Sequence, residues 1–211
     1  TLSLGFEDVA KEQFGMLGMM AKFKRDKLSR ARSIDIVVTP SQYINHSQEW
    51  RLDPARIKIE VDSSRVDIDR LCVSGPKQSL TISGVASRER GDSVLIKLDN
   101  FDLSPVSMFT SRVGYDVGAR SNGSATIKSL LHEPQIEAQI DLDSINVNGI
   151  YAPSQKAVSN WDFEQNRARV FIIDRESRDT TIRGYYQPRG NRYYAATRIK
   201  NVPMELISPF L

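Results

Sequence analysis

The histidines, the cysteine and the acidic residues are the side chains from which a metal site or a catalytic site would be built. The sequence contains two histidines, His46 and His132, and one cysteine, Cys72. Neither histidine has a cysteine or a carboxylate at the spacing of a metal ligand set, so we interpret both as surface or loop residues. Cys72 lies among alternating apolar residues, where it is expected to pack as a small hydrophobic side chain. The acidic residues occupy the polar positions of alternating segments, which does not favour a catalytic carboxylate pair.

Short motifs add no chemistry to these side chains. The segment SGPK, residues 74–77, lacks the glycine spacing of a phosphate-binding loop and is interpreted as a turn. The triplets at residues 45–47 and 122–124 match the glycosylation acceptor pattern, which sequences also match by chance. We therefore predict that the protein is not an enzyme, with no catalytic residue, no metal and no cofactor.

A basic segment, KFKRDKLSRAR, occupies residues 22–32 and carries six basic residues and one acidic residue. Contact with nucleic acid or with anionic lipid is one interpretation. A solvated polar segment is the other, and it is favoured because only Phe23 interleaves an aromatic ring with the charges. The formal net charge of +3 does not require a nucleic-acid partner, and we predict none.

The elements that carry these residues are predicted to be β-strands. Apolar and polar residues alternate within residues 57–61 and 168–172, and turn-forming residues separate such runs, as at 62–64, 90–92 and 189–191. Many short strands with one apolar face are typical of an all-β, mainly antiparallel protein. No apolar run approaches the roughly 20 residues of a membrane helix. The sequence opens in the middle of a pattern, so we expect it to be a segment of a longer protein.

The alternation of apolar and polar residues is interrupted at four places by two successive polar residues, and after each interruption it continues shifted by one position. In RVDIDRLCV, residues 65–73, Val66 and Ile68 are followed by Asp69-Arg70 and then by Leu71 and Val73. The same shape recurs at Leu98–Phe101, Leu142–Ile145 and Ile199–Val202. One extra residue in a strand is what a β-bulge inserts, and a bulge bends the strand while the same face stays inward. The pattern predicts a sheet that curls.

The first 33 residues differ from the rest and are treated as a separate N-terminal segment. Apolar residues at positions 6, 9, 10, 14 and 17 have helical spacing, which predicts a short amphipathic helix near residues 6–17. Residues from Met20 onward fit an edge strand equally well. Residues 34–211 are predicted to form one curled β-sheet module.

Two degenerate repeats are predicted within this module, at about residues 45–106 and 157–210. Trp50 is echoed by Trp161, and LTISG at 80–84 is echoed by TTIRG at 180–184. Leu-Ser-Pro at 103–105 is matched by Leu-Ile-Ser-Pro at 206–209. Stacked copies of one supersecondary unit form elongated structures. We interpret the two tryptophans as plugs at the ends of strand layers.

The apolar face of such a sheet must be covered. Burying each aliphatic side chain contributes roughly 1.5–3 kcal/mol, and few helices are available as a cover. The sheet can fold over on itself, pair with a second sheet or hold an apolar ligand. The residues alone favour a packed core over an open trough wide enough for an acyl chain.

A family resemblance favours the trough. Its motif begins with N-x4-W-x-L-D-P-A-R-I-x-I-E-V at residues 45–61. The further segments that carry it are VDIDRL at 66–71, QSLTISG at 78–84, LDNFDL at 98–103, GSATI at 123–127 and PQIEA at 134–138. Over about residues 34–211 the chain resembles the C-terminal region of TamB-family, AsmA-like proteins of the Bacteroidetes type.

The resemblance implies an elongated, curled antiparallel sheet of the β-taco type with an apolar interior groove. It also implies a Gram-negative cell envelope protein, anchored in the inner membrane and crossing the periplasm towards an outer-membrane barrel of the Omp85 class. Such proteins are implicated in outer membrane protein assembly and in lipid transport. The implied cargo is phospholipid or other acyl chains, or outer-membrane protein strands.

We therefore expect a hydrophobic groove that shields cargo between the two membranes. The candidate lining residues are Ile57, Ile59, Val61, Val66, Ile68, Leu80, Ile82, Ile96, Leu98, Ile136, Ile140 and Val170. The alternative is a structural or scaffolding β module with a filled core and no cargo.

Overall fold

The fold is all-β, as the alternation predicts. The computed structural model describes residues 2–8, 13–26, 30–45, 48–104 and 116–197. Every regular element in these ranges is a strand, and there are sixteen. Their bounds are β1 (Leu2–Asp8), β2 (Gln13–Arg25), β3 (Arg32–Val38), β4 (Ser41–Asn45), β5 (Gln48–Leu52), β6 (Ala55–Glu60), β7 (Arg65–Gly75), β8 (Gln78–Ala86), β9 (Ser93–Asp102), β10 (Val117–Lys128), β11 (Gln135–Val147), β12 (Ile150–Ala152), β13 (Gln155–Asp162), β14 (Arg167–Asp174), β15 (Thr180–Gln187) and β16 (Arg192–Thr197).

The sixteen strands form one sheet, whose order follows the chain from β7 to β16 but not from β1 to β6. From β16 the order runs through β15, β14, β13, β11, β10, β9 and β8 to β7, with β12 paired to β11 and β1 paired to β2. The strands pair in antiparallel fashion, as in the hairpins β14–β15 and β15–β16. From β7 to β16 the sheet is therefore a meander, in which neighbours in the chain are neighbours in space, whereas β4 pairs with β2 and β6 pairs with β3.

Two positions in the sheet are each occupied by a pair of strands that a proline-containing dipeptide separates. The first half of β2 pairs with β4, and its second half pairs with β3. β3 and β4 thus share one strand position, interrupted at Thr39-Pro40. In the same way β7 pairs with β6 through its first half and with β5 through its second half, so β5 and β6 are interrupted at Asp53-Pro54. Proline has no N–H to donate, so a strand ladder breaks at this residue.

The bulge predicted in RVDIDRLCV is present. Ile68 faces Gly84 and Leu71 faces Ile82, so two residues of β7, Asp69 and Arg70, stand opposite one residue of β8. Because Gly84 and Ile82 are two positions apart, Leu71 lies on the same face as Ile68.

At two of the other three places where the alternation changes phase, one residue has a left-handed backbone conformation. Asn100 has φ 45° and Ser144 has φ 51°, each directly before the residue where the alternation resumes. A positive φ at one strand residue is typical of a bulge. The fourth slip, at 199–202, lies outside the described residues.

The predicted N-terminal helix is wrong. Residues 6–8 belong to β1 and residues 13–17 belong to β2, and the two strands form an antiparallel hairpin in which Leu4 faces Leu17; residues 9–12 lie outside the described residues. The spacing of the apolar residues fits a helix, but glycines at positions 5, 15 and 18 disfavour one, since glycine lowers helix stability. A strand is present instead, and residues from Met20 onward continue β2, which pairs with β3.

The contacts divide the chain into two compact units. The first comprises Thr1–Lys97 with Thr126–Pro134, and the second comprises Leu98–Ala125 with Gln135–Leu211. The predicted boundary after residue 33 and the two predicted repeats remain predictions.

Candidate functional site

The candidate site of the first unit is the apolar face of strands β6, β7 and β8. Ile57 faces Ile68 and Ile59 faces Val66 across β6 and β7. Leu71 faces Ile82 and Val73 faces Leu80 across β7 and β8. Since directly paired residues point to the same side of a sheet, the register places six predicted lining residues on one face. These six are Ile57, Ile59, Val66, Ile68, Leu80 and Ile82.

The same face continues onto the preceding strands. Ile34 faces Ile59, and Ile36 faces Ile57, across β3 and β6. Val61 follows the last residue of β6 and is 40% exposed. The sequence analysis did not include Ile34 and Ile36, although they alternate with Ser33, Asp35 and Val37 in the same manner as the residues it selected.

The large side chains of this face are only partly buried. Ile57, Ile59, Val66, Ile68 and Ile82 are all half-buried. The buried apolar residues are small or medium-sized: Val38, Ala55, Cys72, Ala86, Val94, Ala119 and Ala168. Cys72 is 5% exposed and occupies the small hydrophobic role predicted for it. Large aliphatic side chains in a closed core are normally fully buried, so this face retains apolar surface that contacts solvent.

The candidate site of the second unit is the equivalent face of β11, β13 and β14. Ile140 faces Ala157, and Ala157 faces Ile172. Val170 faces Ser159 in β13 and Gly184 in β15. Ile136 shares the face of Ile140 because four positions in one strand preserve the side. The remaining two candidates, Ile96 and Leu98, occupy alternate positions of β9 and point to one side of that strand.

The opposite face of the first unit is charged. Asp35 faces Lys58, and Lys58 faces Asp67. Lys24 forms an ion pair with Asp35, and this hydrogen bond lowers the pKa of the Asp35 carboxyl. Lys58 donates to Glu60 at 2.7 Å, which raises the pKa of Lys58 and lowers that of Glu60. Paired charges on an exposed face keep that side in water, and they leave the apolar face as the candidate for cargo.

A concave region of about 670 Å³ runs across four strands of the first unit. It is lined by Asp35, Ile36, Val37, Arg56, Ile57, Lys58, Asp67, Ile68, Asp69, Gly84 and Val85. Two predicted lining residues, Ile57 and Ile68, are among them, and the other ten are not. Its lining includes one cross-strand row, Ile36, Ile57, Ile68 and Gly84, together with residues of the charged face such as Asp35, Lys58 and Asp67.

The second unit contains a buried acidic side chain that the sequence analysis treated as solvent-exposed. The side chain of Asp162 is only 6% exposed. Its Oδ1 accepts the N–H groups of Glu164 and Gln165 at 3.1 and 3.2 Å, and its Oδ2 accepts Nε of Arg169 at 2.9 Å. Burial acts to raise the pKa of Asp162, but these hydrogen bonds lower it below its ordinary value. In the sequence, this burial could have been predicted from the arginines at positions 167 and 169, which follow the turn directly and can neutralise the carboxylate.

Arg167 connects this carboxylate to an aromatic pair. Its Nε lies 3.7 Å from Oδ2 of Asp162 and makes no hydrogen bond. Its guanidinium carbon lies 4.5 Å from the centre of the Tyr185 ring, which is a cation–π geometry. Tyr185 stacks with Tyr194 at a centroid distance of 5.7 Å. These groups stabilise one another.

The two tryptophans lie in different surroundings. Trp161 faces Ala168, which is 1% exposed, and its Nε1 is buried without a hydrogen-bond partner. Trp50 faces Tyr43, and its ring lies close enough to Gly75 that an added Cβ there would be 3.3 Å from Cε3. Both rings are half-buried, and their interpretation as plugs remains a prediction.

The described residues offer no metal site. No group of three or more histidine, cysteine, aspartate or glutamate side chains within them is placed to hold a metal ion. His132 is exposed, and His46 lies outside the described residues. None of the described segments is a helix of the length and apolar character that crossing a membrane requires.

Comparisons with known proteins identify no relative of the chain. No protein-family model, no curated protein and no solved structure matches it. The resemblance to TamB-family proteins remains a prediction from the sequence motifs.

Proposed function

We propose that the chain is a periplasmic segment of a TamB-like, AsmA-like envelope protein, which shields hydrophobic cargo between the inner and the outer membrane. The observation that carries the proposal is the half-buried apolar face of each unit, on which Ile57 and Ile68, and Ile140 and Ile172, are aligned across strands. In the full-length protein an inner-membrane anchor and an Omp85-class barrel in the outer membrane would be the partners. Nucleic acid has no part in this function.

The energetics favour a cargo that covers this face. Removing the remaining solvent contact of such a partly exposed aliphatic side chain contributes roughly 0.5 kcal/mol, so the six side chains of the first unit contribute about 3 kcal/mol together. An acyl chain supplies this cover without hydrogen bonds of its own. An outer-membrane protein strand would supply it too, and would in addition pair with backbone groups of an unpaired strand edge.

The alternative of a scaffolding module with a filled core predicts different burial. In a filled core the large aliphatic side chains would be fully buried. The most buried residues in the described part of the chain are Ser121, Ala168 and Ser129, at 0%, 1% and 2% exposed, and none of them is a large aliphatic residue. This burial pattern favours the cargo-shielding function over the scaffold.

Photocrosslinking from the two faces of one strand tests the proposal. A photoreactive amino acid at Ile68 or at Ile140 is expected to capture lipid acyl chains or outer-membrane protein segments in the cell envelope. Asp67 and Gln139 are the matched controls, since each is the preceding residue of the same strand and points to the other face.

Mass spectrometry of the crosslinked products identifies the cargo. Adducts at Ile68 and Ile140, together with their absence at Asp67 and Gln139, support the proposal that the apolar face binds the cargo. Equal labelling at all four positions, or no adduct at any of them, contradicts cargo shielding and favours the scaffold.

A further inference from the structure

The hairpin of β15 and β16 has an unusual composition. Residues 180–197 contain four tyrosines and three arginines and no acidic residue. The turn at 188–191 carries Arg189 and Asn191, and Arg192 follows directly at the start of β16. The hairpin is thus positively charged and aromatic towards its tip.

The four tyrosines form two cross-strand pairs on opposite faces of the hairpin. Tyr185 faces Tyr194, and Tyr186 faces Tyr193. Tyr193 is 83% exposed and Tyr194 is 51% exposed. Aromatic side chains with this exposure leave apolar ring surface uncovered on both faces of the hairpin, which costs free energy in water.

The arginines of the hairpin differ from those of the neighbouring strand. Arg167 and Arg169 in β14 both form ion pairs with Asp162. Arg183, Arg189 and Arg192 form no ion pair with any carboxylate in the described part of the chain. Their charges are available to an anionic partner, and guanidinium groups match phosphate geometry well.

We propose that the tip of the β15–β16 hairpin binds the surface of an anionic lipid bilayer. Tyrosine prefers the boundary between headgroups and acyl chains, where its ring contacts apolar groups and its hydroxyl contacts water. The arginines at the tip then contact lipid phosphates. This inference does not rest on the cargo-shielding function, since it concerns a different surface.

The arrangement fits a bilayer surface better than single-stranded nucleic acid. Nucleic acid binds one face of a sheet by stacking its bases on open aromatic rings. On the face of Tyr185, that ring already stacks with Tyr194 and lies under Arg167. Tyr193, the most exposed of the four, lies on the other face. A bilayer surface can contact both faces of the hairpin tip at once.

Vesicle flotation with the complete 211-residue chain tests the proposal. The chain is expected to float with vesicles of equimolar phosphatidylcholine and phosphatidylglycerol at low salt, and to stay behind with vesicles of phosphatidylcholine alone. An arginine near an anionic surface contributes about 1 kcal/mol, so the double variant R189Q/R192Q is expected to bind about 30-fold more weakly. The variant Y193S is expected to weaken binding without changing its dependence on salt.

The matched control is R90Q/R178Q, which removes the same charge from two exposed positions away from the hairpin tip, Arg90 in the turn before β9 and Arg178 shortly before β15. It is expected to retain most of the binding. Equal losses in both double variants would show a response to net charge alone and would overturn the proposal. Equal binding to both vesicle types, no binding to either, or binding to single-stranded oligonucleotide but not to vesicles, would overturn it as well. Thermal unfolding of each variant confirms that the sheet remains folded.

Discussion

Asp162 shows how one side chain can connect the end of a strand to the strands beside it. Its carboxylate accepts two backbone N–H groups from the turn that follows β13 and pairs with two arginines of β14. A buried carboxylate is stable in its charged form only when such partners surround it. The lowered pKa of Asp162 reflects this compensation, which outweighs the opposing effect of burial.

Replacing Asp162 with alanine is expected to destabilise the second unit. The variant leaves the N–H groups of Glu164 and Gln165 without their acceptor and leaves Arg167 and Arg169 without a counter-charge. We expect D162A to lower the Tm by several degrees in a thermal unfolding experiment. E176A is the control, because Glu176 is exposed in a turn of the same unit. A Tm of D162A equal to that of E176A would show that these contacts are not important for stability.

A β-bulge and two proline-containing breaks keep the strands of the sheet in register. The bulge at Asp69-Arg70 allows Ile68 and Leu71 to share one face, and the breaks at Thr39-Pro40 and Asp53-Pro54 do the same for β3 with β4 and β5 with β6. Opposite the first bulge lies Gly84, with φ +111°, where an added Cβ would be 2.2 Å from the carbonyl oxygen of Ser93. This position requires glycine for both its backbone conformation and its contact with β9.

Replacing Gly84 with alanine is therefore expected to destabilise the sheet. A left-handed conformation costs a non-glycine residue roughly 1–2 kcal/mol, and the steric overlap brings the expected total to about 2–5 kcal/mol. The free energy of unfolding from urea titration measures the loss. G91A is the matched control, since an added Cβ at Gly91 meets no atom within 4 Å. A free energy of unfolding for G84A within error of that for G91A would contradict the strain at this position.

The alternation predicted most of the strands, but not the features that depend on distant partners. The slip at Asp69-Arg70 was recognised because one phase of the pattern ends and another begins within nine residues. The breaks at Thr39-Pro40 and Asp53-Pro54 also insert two residues between segments that share one face. They were missed because a proline there indicated the end of a strand. The N-terminal hairpin was missed because Phe6, Phe14 and Leu17 fit two periods. The burial of Asp162 depends on Arg169, which the register of β13 and β14 brings beside it.

Over the whole molecule, the carboxylates with lowered pKa values determine how stability changes with pH. The pKa of Asp62 is lowered by the guanidinium and the N–H of Arg32, and that of Asp174 by the N–H of Ser177. The pKa values of Asp35, Glu60 and Asp162 are lowered as well. In the acid range the unfolded chain binds more protons at these groups than the folded chain, so stability rises with pH there.

Acid is therefore expected to destabilise the protein. The contribution of these groups is complete above about pH 5 and is lost as the pH falls through their lowered pKa values, below about pH 4. Urea midpoints measured by circular dichroism at neutral, mildly acidic and strongly acidic pH check this. The midpoint is expected to change little in the first interval and to fall in the second. An unchanged midpoint in strong acid would show that the ion pairs contribute nothing to the folded state.

The order of the strands in the sheet also affects how the protein folds during its synthesis. From β8 onwards, each strand except β13 pairs with the strand synthesised just before it, and β13 pairs with β11, one short strand further back. Pairing between strands that are adjacent in the chain limits the entropy of loop closure. The sheet can grow strand by strand as the polypeptide leaves the ribosome or a translocation channel. Its folding is then paced by the rate at which the chain is delivered.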